Sequence, residues 1–373
     1  MRIGVPREIK NHEYRVAITP AGVHELVRRG HEVVVERDAG LGSSIPNAEY
    51  EAAGARVLDS PEEVWAAGEL VLKVKEPVAA EYHRMREGQT LFTYLHLAAS
   101  RECTEALLER RVTGIAYETV QLPDGSLPLL APMSEVAGRL APQMGAVTLQ
   151  RPSGGRGVLM GGVPGVRPAR VTVIGAGVSG LNATQIAVGM GAEVTVLDLN
   201  VNKLRHVDSL YQGRVKTVVS NAFELELSVL ESDMVIGAVL VPGARAPKLV
   251  TNELVSRMRP GAVLVDIAID QGGCFEDSRP TTHADPTFHV HDTVFYCVAN
   301  MPGAVPNTST HALTKDTLRY AVALAEKGWR RAMNEDEALA GGLNTFDGDV
   351  VSAPVAEAHG VKHRPLDEVL VQG

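Results

Sequence analysis

The sequence predicts an α/β protein of two domains, each a mainly parallel sheet covered by helices. Three observations carry this. Short β-branched runs alternate with helical patterns in two separate blocks, one within the first 120 residues and one from residue 171 to residue 298. Strand–helix–strand alternation at this spacing is the pattern of parallel sheets, whose crossovers are helical. The length of 373 residues is about two and a half times the roughly 150 residues typical of a domain.

In the first block the candidate strands are Arg2–Val5, Val33–Glu36, Leu70–Lys75, Thr90–Tyr94 and Val112–Ala116. Amphipathic segments lie between them at Ala21–Arg29, Pro61–Ala67 and Arg101–Arg110, the last with Ser100 placed to cap its first turn. From Ser153 to Val166 the chain reads SGGRGVLMGGVPGV, six glycines in fourteen residues. Val158, Leu159 and Met160 are not linker residues, so an ordered turn at a domain junction is expected. The second block contributes Val171–Ile174, Val194–Leu197, Val215–Val218, Met234–Ile236, Val263–Asp266 and Val294–Val298. Six strands in this pattern make a complete doubly wound fold. One long helix is then expected from about Ser309 to Met333, because Leu318, Ala321, Val322, Ala325 and Trp329 share one face. The tail from Asn334 is Gly- and acid-rich with short apolar runs and carries no clear pattern.

Composition narrows the function classes. Apolar residues are 45% and charged residues 22%, a globular balance. The formal charge of −9 gives a nucleic-acid duplex little to bind. Cys103, Cys274 and Cys297 are far apart and odd in number, which reads as a reduced intracellular chain rather than a disulfide framework or zinc site. Met1–Glu8 lacks the apolar core of a secretion signal, and no run approaches the ~18 apolar residues of a spanning helix. A soluble, cytoplasmic protein without a membrane or nucleic-acid partner is the expectation.

Gly175-Ala176-Gly177-Val178-Ser179-Gly180 is a GxGxxG sequence, weak alone but strengthened by its setting. An apolar strand, Arg170–Ile174, precedes it and a helix-compatible run, Leu181–Met190, follows. Asp198 ends the next strand, GAEVTVLD, 23 residues after Gly175. Gly175 permits the tight turn, Gly177 lets a pyrophosphate approach backbone amides, and Gly180 permits close helix–strand contact. The Asp198 carboxylate suits the two adenosine ribose hydroxyls and repels a 2′-phosphate, so NAD is favoured over NADP. A nucleotide-binding Rossmann domain follows.

The reacting groups must come from elsewhere, and in open α/β sheets they lie at the carboxyl ends of strands. Lys75 ends LVLKVK, His96 follows TLFTYL, and Asp270 lies beyond VLVDIAI. His96 has the side chain suited to moving protons near neutrality. Lys73 and Lys75 fall on the same side of their strand, so periodicity leaves the choice between them open. Arg15 sits between a strand and a helix, where a guanidinium fork suits a carboxylate. His289-x-His291 has the spacing of a metal pair but no third ligand, and reads as a solvated strand face with no metal expected.

Several stretches together resemble one family. GVPREIKNHEYRVAITPAGV, LKVKEP, TYLHLA, MSEVAGR, GGRGVLMGGVPGV, DIAIDQGG and YCVANMPGAVPNTST are similar to the alanine dehydrogenase branch of the alanine dehydrogenase/transhydrogenase NAD-binding family, from residue 1 to about residue 330. The resemblance implies NAD-dependent interconversion of L-alanine with pyruvate and ammonium. By position in the matching blocks, Arg15 and Lys75 look like the substrate contacts, His96 the acid/base group, and Asp270 its partner from the other domain. Ser134, Gly177, Val178, Asp198, Lys203, Ser220, Val239, Ile267, Asn300 and Met301 look like cofactor contacts, beside Gly175 and Gly180 of the glycine loop. It also implies a substrate domain begun by residues 1–130, an inserted NAD domain over 131–306, and a return through 307–373. A homo-hexamer is implied as well. Three departures stand out: Ser179 where alanine is frequent, Phe295 where histidine is usual, and Asn307 where a basic residue is common. The alternatives are the NAD-binding subunit of a proton-translocating transhydrogenase, or a non-catalytic NAD-responsive binding protein. The second would be expected to lose the polar groups of the first domain, which this chain keeps.

Overall fold

The computed structural model describes residues 1–239 and 246–371. The chain divides into two compact units, Met1–Met133 with Val305–Gly373, and Ser134–Ala304. The α/β class expected from the sequence is the one observed.

The first unit starts with β1 (Arg2–Val5), β2 (Glu32–Glu36), β3 (Arg56–Leu58), β4 (Leu70–Leu72), β5 (Thr90–Thr93) and β6 (Thr113–Ala116). Every pairing among these six is parallel. β4, β5 and β6 are buried at every residue, as strands covered on both faces must be. The crossover helices start at hydroxyl caps. Ser60 accepts the Glu63 amide at 3.3 Å and Ser100 the Cys103 amide at 3.3 Å, satisfying donors that the first turn leaves unpaired.

The second unit contains β7 (Arg170–Ile174), β8 (Glu193–Asp198), β9 (Val215–Val219), β10 (Met234–Gly237), β11 (Val263–Asp266), β12 (Thr287–Val290) and β13 (Thr293–Tyr296). Its sheet runs β12-β13-β11-β10-β7-β8-β9, with only β12 antiparallel. The chain then returns to the first unit, where β14 (Leu343–Phe346) and β15 (Asp349–Val350) complete the order β15-β14-β6-β5-β4-β1-β2-β3. Each sheet therefore reverses its strand order once, between β1 and β4 in the first and between β7 and β10 in the second. Doubly wound proteins bind ligands at such reversals, outside the carboxyl ends of the strands.

Five expectations need correction. The strand expected over Leu70–Lys75 stops at Leu72, so strand periodicity does not govern Lys73 and Lys75. The helix expected from Ser309 to Met333 is two helices, Pro306–Lys327 and Trp329–Glu335. Gly328 breaks it with φ 74° and ψ 156°, a conformation that a residue without Cβ adopts freely. Trp329 leaves the apolar stripe and packs on Phe346 at 5.0 Å between ring centroids. The segment Ser153–Val166 is ordered, with Met160 buried and Val163 bridged to Val166, but it lies inside the second unit rather than at its border. The edge strands β3 and β12 extend the two sheets beyond the strands expected. In the tail, Asp347-Gly348, both at positive φ, turns β14 into β15; this Asp-Gly hairpin signal was present in the sequence.

Candidate active site

At the carboxyl end of β1 the chain leaves the sheet and runs from Arg7 to Arg15 along a cleft of about 620 Å³, lined also by Asp38, Leu41 and Gly42. Arg15 borders this cleft although its side chain is 1% exposed. Glu13 holds the guanidinium through Nε at 2.7 Å and Nη2 at 2.5 Å, a bidentate charge-assisted pair. Burial alone would raise the Glu13 pKa, but the Arg15 charge outweighs it and pulls the carboxyl to about 2. The Arg15 loop is tied to the returning chain. Val16 donates its amide to Thr310 Oγ1 at 3.1 Å, Ser43 Oγ meets the same hydroxyl at 2.8 Å, and Asn307 Nδ2 donates to the Ser43 carbonyl at 2.7 Å. Asn307, one of the departures noted above, is thus a structural amide.

Lys75 and His96 meet, with Nζ and Nε2 3.4 Å apart. The Tyr94 ring stacks on the imidazole at 5.7 Å between centroids and 8° between planes. His96 sits just past β5 in the left-handed region, at φ 47°, a strained state for a residue with Cβ. Glu118 secures that corner by accepting the His96 amide at 2.6 Å and the Leu95 amide at 3.2 Å. Burial raises the Glu118 pKa. The imidazole side chain is 39% exposed. Even so, partial burial and then the charges of Lys75, Lys10 and Arg15 push its pKa below the ordinary range and keep the ring neutral. Lys73 does not share this environment. It is fully buried between Glu8 and Glu81, 3.0 Å from each. The choice between the two lysines that periodicity left open is made by burial: Lys75 faces His96 and Lys73 faces the interior.

In the second unit the glycine loop follows β7. Gly175 has φ 103°. A Cβ on Gly180 would stand 1.7 Å from the Gly175 carbonyl oxygen, whereas a Cβ on Gly177 would meet no atom within 4 Å. The space over Gly177 is therefore open at the start of the helix Val178–Gly189, whose first turn has no side-chain cap. Bare amides facing open space at a helix N-terminus are what a pyrophosphate requires. Asp198, at the end of β8, accepts the Ala176 amide at 2.7 Å through Oδ2 and the Asn200 amide at 2.7 Å through Oδ1. Lys203 Nζ lies 4.0 Å from Oδ2, and Ser220 donates its amide to the Asp198 carbonyl at 3.0 Å. Val239 follows β10, and its Cγ2 lies 3.3 Å from the Cβ position of Gly175. These residues fit a dinucleotide with free ribose hydroxyls.

Ile267 and Asp270 occupy the 3-10 turn after β11, and Met301 the one before Val305. Asp270 is exposed and accepts the Asn300 amide at 3.3 Å. Ser134 is half-buried in the helix Ala131–Thr148, and Val178 opens its own helix, 42% exposed. Phe295 is buried against Phe275 and Phe288. Ser179 presses its carbonyl oxygen 2.2 Å from where a Cβ of Gly138 would stand, so its backbone, not its hydroxyl, makes that close contact. His291 Nε2 lies 3.0 Å from Asn252 Oδ1 and His289 is exposed on β12.

Sequence reasoning missed the carboxylates beneath these residues: Glu8, Glu13, Glu81, Glu118 and Asp266. Asp266, wholly buried, accepts the amides of Ala268 and Cys274 and the Ser278 hydroxyl, and so shapes the turn that carries Asp270. Only Glu13 had a visible signal, an acid two residues from Arg15. Glu8, Glu81 and Glu118 act across 65, 8 and 22 residues, separations that no local pattern reveals, and Asp266 reaches beyond Ala268 to Cys274 and Ser278, 8 and 12 residues away.

Comparisons with known proteins find relatives along most of the chain. A family profile described as Alanine dehydrogenase/PNT, N-terminal domain, matches residues 4–137, and its C-terminal counterpart matches residues 141–353. The alanine dehydrogenase of Mycolicibacterium smegmatis is 65% identical over 357 residues, 96% of each chain. A solved L-alanine dehydrogenase superposes with a TM-score of 0.94 at 52% identity, covering 96% of this chain and 99% of that one. A solved transhydrogenase from Sinorhizobium meliloti gives 0.81 at 27% identity, covering 95% and 99%. With two matching profiles along most of its length and relatives this similar, the chain belongs to the alanine dehydrogenase/PNT family.

Proposed function

We propose that the chain is an NAD-dependent amino-acid dehydrogenase that oxidatively deaminates L-alanine to pyruvate and ammonium and catalyses the reverse reductive amination. The observation that carries this reading is the Lys75–His96 pair, 3.4 Å apart, in a chain that also holds a dinucleotide cradle. Identity of 65% to a named alanine dehydrogenase, against 27% to a solved transhydrogenase, favours the amino-acid reaction over hydride transfer between nucleotides.

Bound NAD supplies the hydride acceptor for the substrate α-carbon. The chain's own residues supply the rest. Arg15, already held along one edge by Glu13, receives the substrate carboxylate with a pre-oriented guanidinium. Lys75 contacts the carbonyl of pyruvate. Loss of hydride leaves an iminium; water adds to its carbon, and a neutral His96 takes the water's proton on a ring nitrogen. The carbinolamine then expels ammonia, His96 giving its proton to the departing nitrogen and taking up the hydroxyl proton as the carbonyl of pyruvate forms. Asp270 stabilises the cationic iminium and orients the water. Ser134, Gly175, Gly177, Val178, Gly180, Asp198, Lys203, Ser220, Val239, Ile267, Asn300 and Met301 hold the nucleotide. The family resemblance supports a homo-hexamer acting in the cytoplasm, which sedimentation and cell fractionation test. Among the described residues no helix is long and apolar enough to cross a membrane.

The test is absorbance at the NADH band with L-alanine and NAD at mildly alkaline pH, and with pyruvate, ammonium and NADH in reverse. NADH formation from L-alanine, absent with D-alanine and weak with NADP, is expected. Silence in both directions despite tight NADH binding would overturn the assignment in favour of a partner-dependent transhydrogenase.

A further inference from the structure

β4 ends at Leu72, yet Lys75, three residues further on, meets His96 at 3.4 Å. The sheet holds the backbone between them on one side alone. On the β5 side the ladder continues for two more bonds: Lys73 donates its amide to the Phe92 carbonyl at 3.2 Å, and Tyr94 donates to the Val74 carbonyl at 3.3 Å. On the β1 side no strand remains, because β1 ends at Val5. There a side chain replaces the missing strand. Glu8 Oε1 accepts the Val74 amide at 2.6 Å and the Lys75 amide at 3.4 Å.

The other oxygen of Glu8 binds Lys73 Nζ at 3.0 Å, and Lys73 Nζ binds Glu81 Oε1 at 3.0 Å. Glu81 Oε2 in turn accepts the Val78 amide at 3.0 Å. The chain of contacts thus grips the segment carrying Lys75 at both ends, at Val74 and at Val78. All three side chains are within 3% of complete burial. One cation between two carboxylates in the interior is a poor device for stability, since well-packed apolar residues commonly do as well or better. A fixed register is the better-attested use of such groups. Burial disfavours the Lys73 charge, but the two carboxylates outweigh it and keep the side chain an ammonium.

We infer that Glu8, Lys73 and Glu81 form a brace that positions Lys75 against His96, making these three positioning residues for the reaction. The inference rests on the reading of Lys75 as a substrate contact. It assigns opposite tasks to the two lysines of LKVK: the first is a structural counter-charge, and the second is the group it aims.

A double-mutant cycle tests it. Lys73→Met and Lys75→Ala are made singly and together in the full chain. kcat and KM are measured for L-alanine and NAD, with NADH binding and thermal unfolding as controls for folding; residual rates are read at high enzyme concentration. The brace predicts that Lys73→Met lowers kcat/KM for L-alanine about tenfold in the otherwise unchanged chain, leaves the KM for NAD within about twofold, and changes activity less than about twofold once Lys75 is alanine. Equal losses in both backgrounds, or no loss from Lys73→Met, overturn it. If Lys73→Met does not fold, Glu81→Gln enters the same cycle under the same criteria, since it keeps an oxygen for the Val78 amide while removing the charge. The two failures are distinguishable. When Lys75→Ala is damaging and the effects are additive, the brace alone falls. When Lys75→Ala leaves L-alanine turnover intact, the substrate role of Lys75 falls first and takes the brace with it.

Discussion

The first unit builds its polar site from charged side chains that hold one another, as in Glu13 with Arg15, Glu8 and Glu81 with Lys73, and Glu118 beneath His96. The second builds its site by omission: Gly175 and Gly180 let the backbone fold back on itself, and Gly177 leaves open space over bare amides. On the proposed function, the difference follows from the task. A site that moves protons needs groups whose charge and direction are fixed in a place of low dielectric, so each must be paired. A pyrophosphate brings its own charge and needs donors already pointing outward, which the backbone provides once side chains are out of the way.

The largest expected effect lies on the first side of that contrast. His96→Ala should lower kcat by about 10²- to 10⁴-fold, the usual worth of a general acid–base group, with NADH affinity within a few-fold. Parallel loss of turnover and NADH binding, read by fluorescence titration, would mean that His96 is structural and that the two sites are not separate tasks.

A pair of glycine variants sharpens the second side. Gly180→Ala places a Cβ 1.7 Å from a carbonyl oxygen, so it should destabilise the chain by about 1–3 kcal/mol, as overpacking does, and weaken NADH as well. Gly177→Ala meets no atom within 4 Å; its unfolding midpoint should stay put while NADH affinity falls about tenfold, near 1.4 kcal/mol. Unchanged NADH affinity in Gly177→Ala would show that the pyrophosphate does not pass over that residue.

An acid limb probes the ion pair that holds Arg15. The Glu13 carboxyl falls from 4.5 to about 2 in the folded chain because the Arg15 charge overcomes its burial. A depressed folded pKa contributes stability that is complete above pH 4.5 and lost as pH falls towards 2. The contribution is about 3 kcal/mol from the size of the shift. Denaturant unfolding across that window should show the slope in the original chain and a shallower one in Glu13→Gln. Identical slopes would remove Glu13 from the account of how Arg15 is held.

How much of this was legible follows the same division. The glycine loop could be read because its parts are contiguous: strand, turn, helix start and the next strand's terminal acid all fall between Arg170 and Asp198. The helix break at Gly328 and the Asp347-Gly348 hairpin were also local and could have been read from their glycines. The first unit was harder. Lys75 and His96 were expected as residue types at strand ends and Arg15 between a strand and a helix, but the carboxylates around them come from residues 8, 13, 81 and 118.

By itself, then, the sequence determined the alternation of strands and helices, the dinucleotide loop and the kinds of group available for chemistry, because periodicity and turn chemistry act over a few residues. Only the tertiary structure decided which lysine faces His96. Period two places Lys73 and Lys75 on one side of an ideal strand, but the strand ends at Leu72. Beyond that point the direction of each side chain is set by buried carboxylates that sequence separation hides, and a buried ammonium must go where they are.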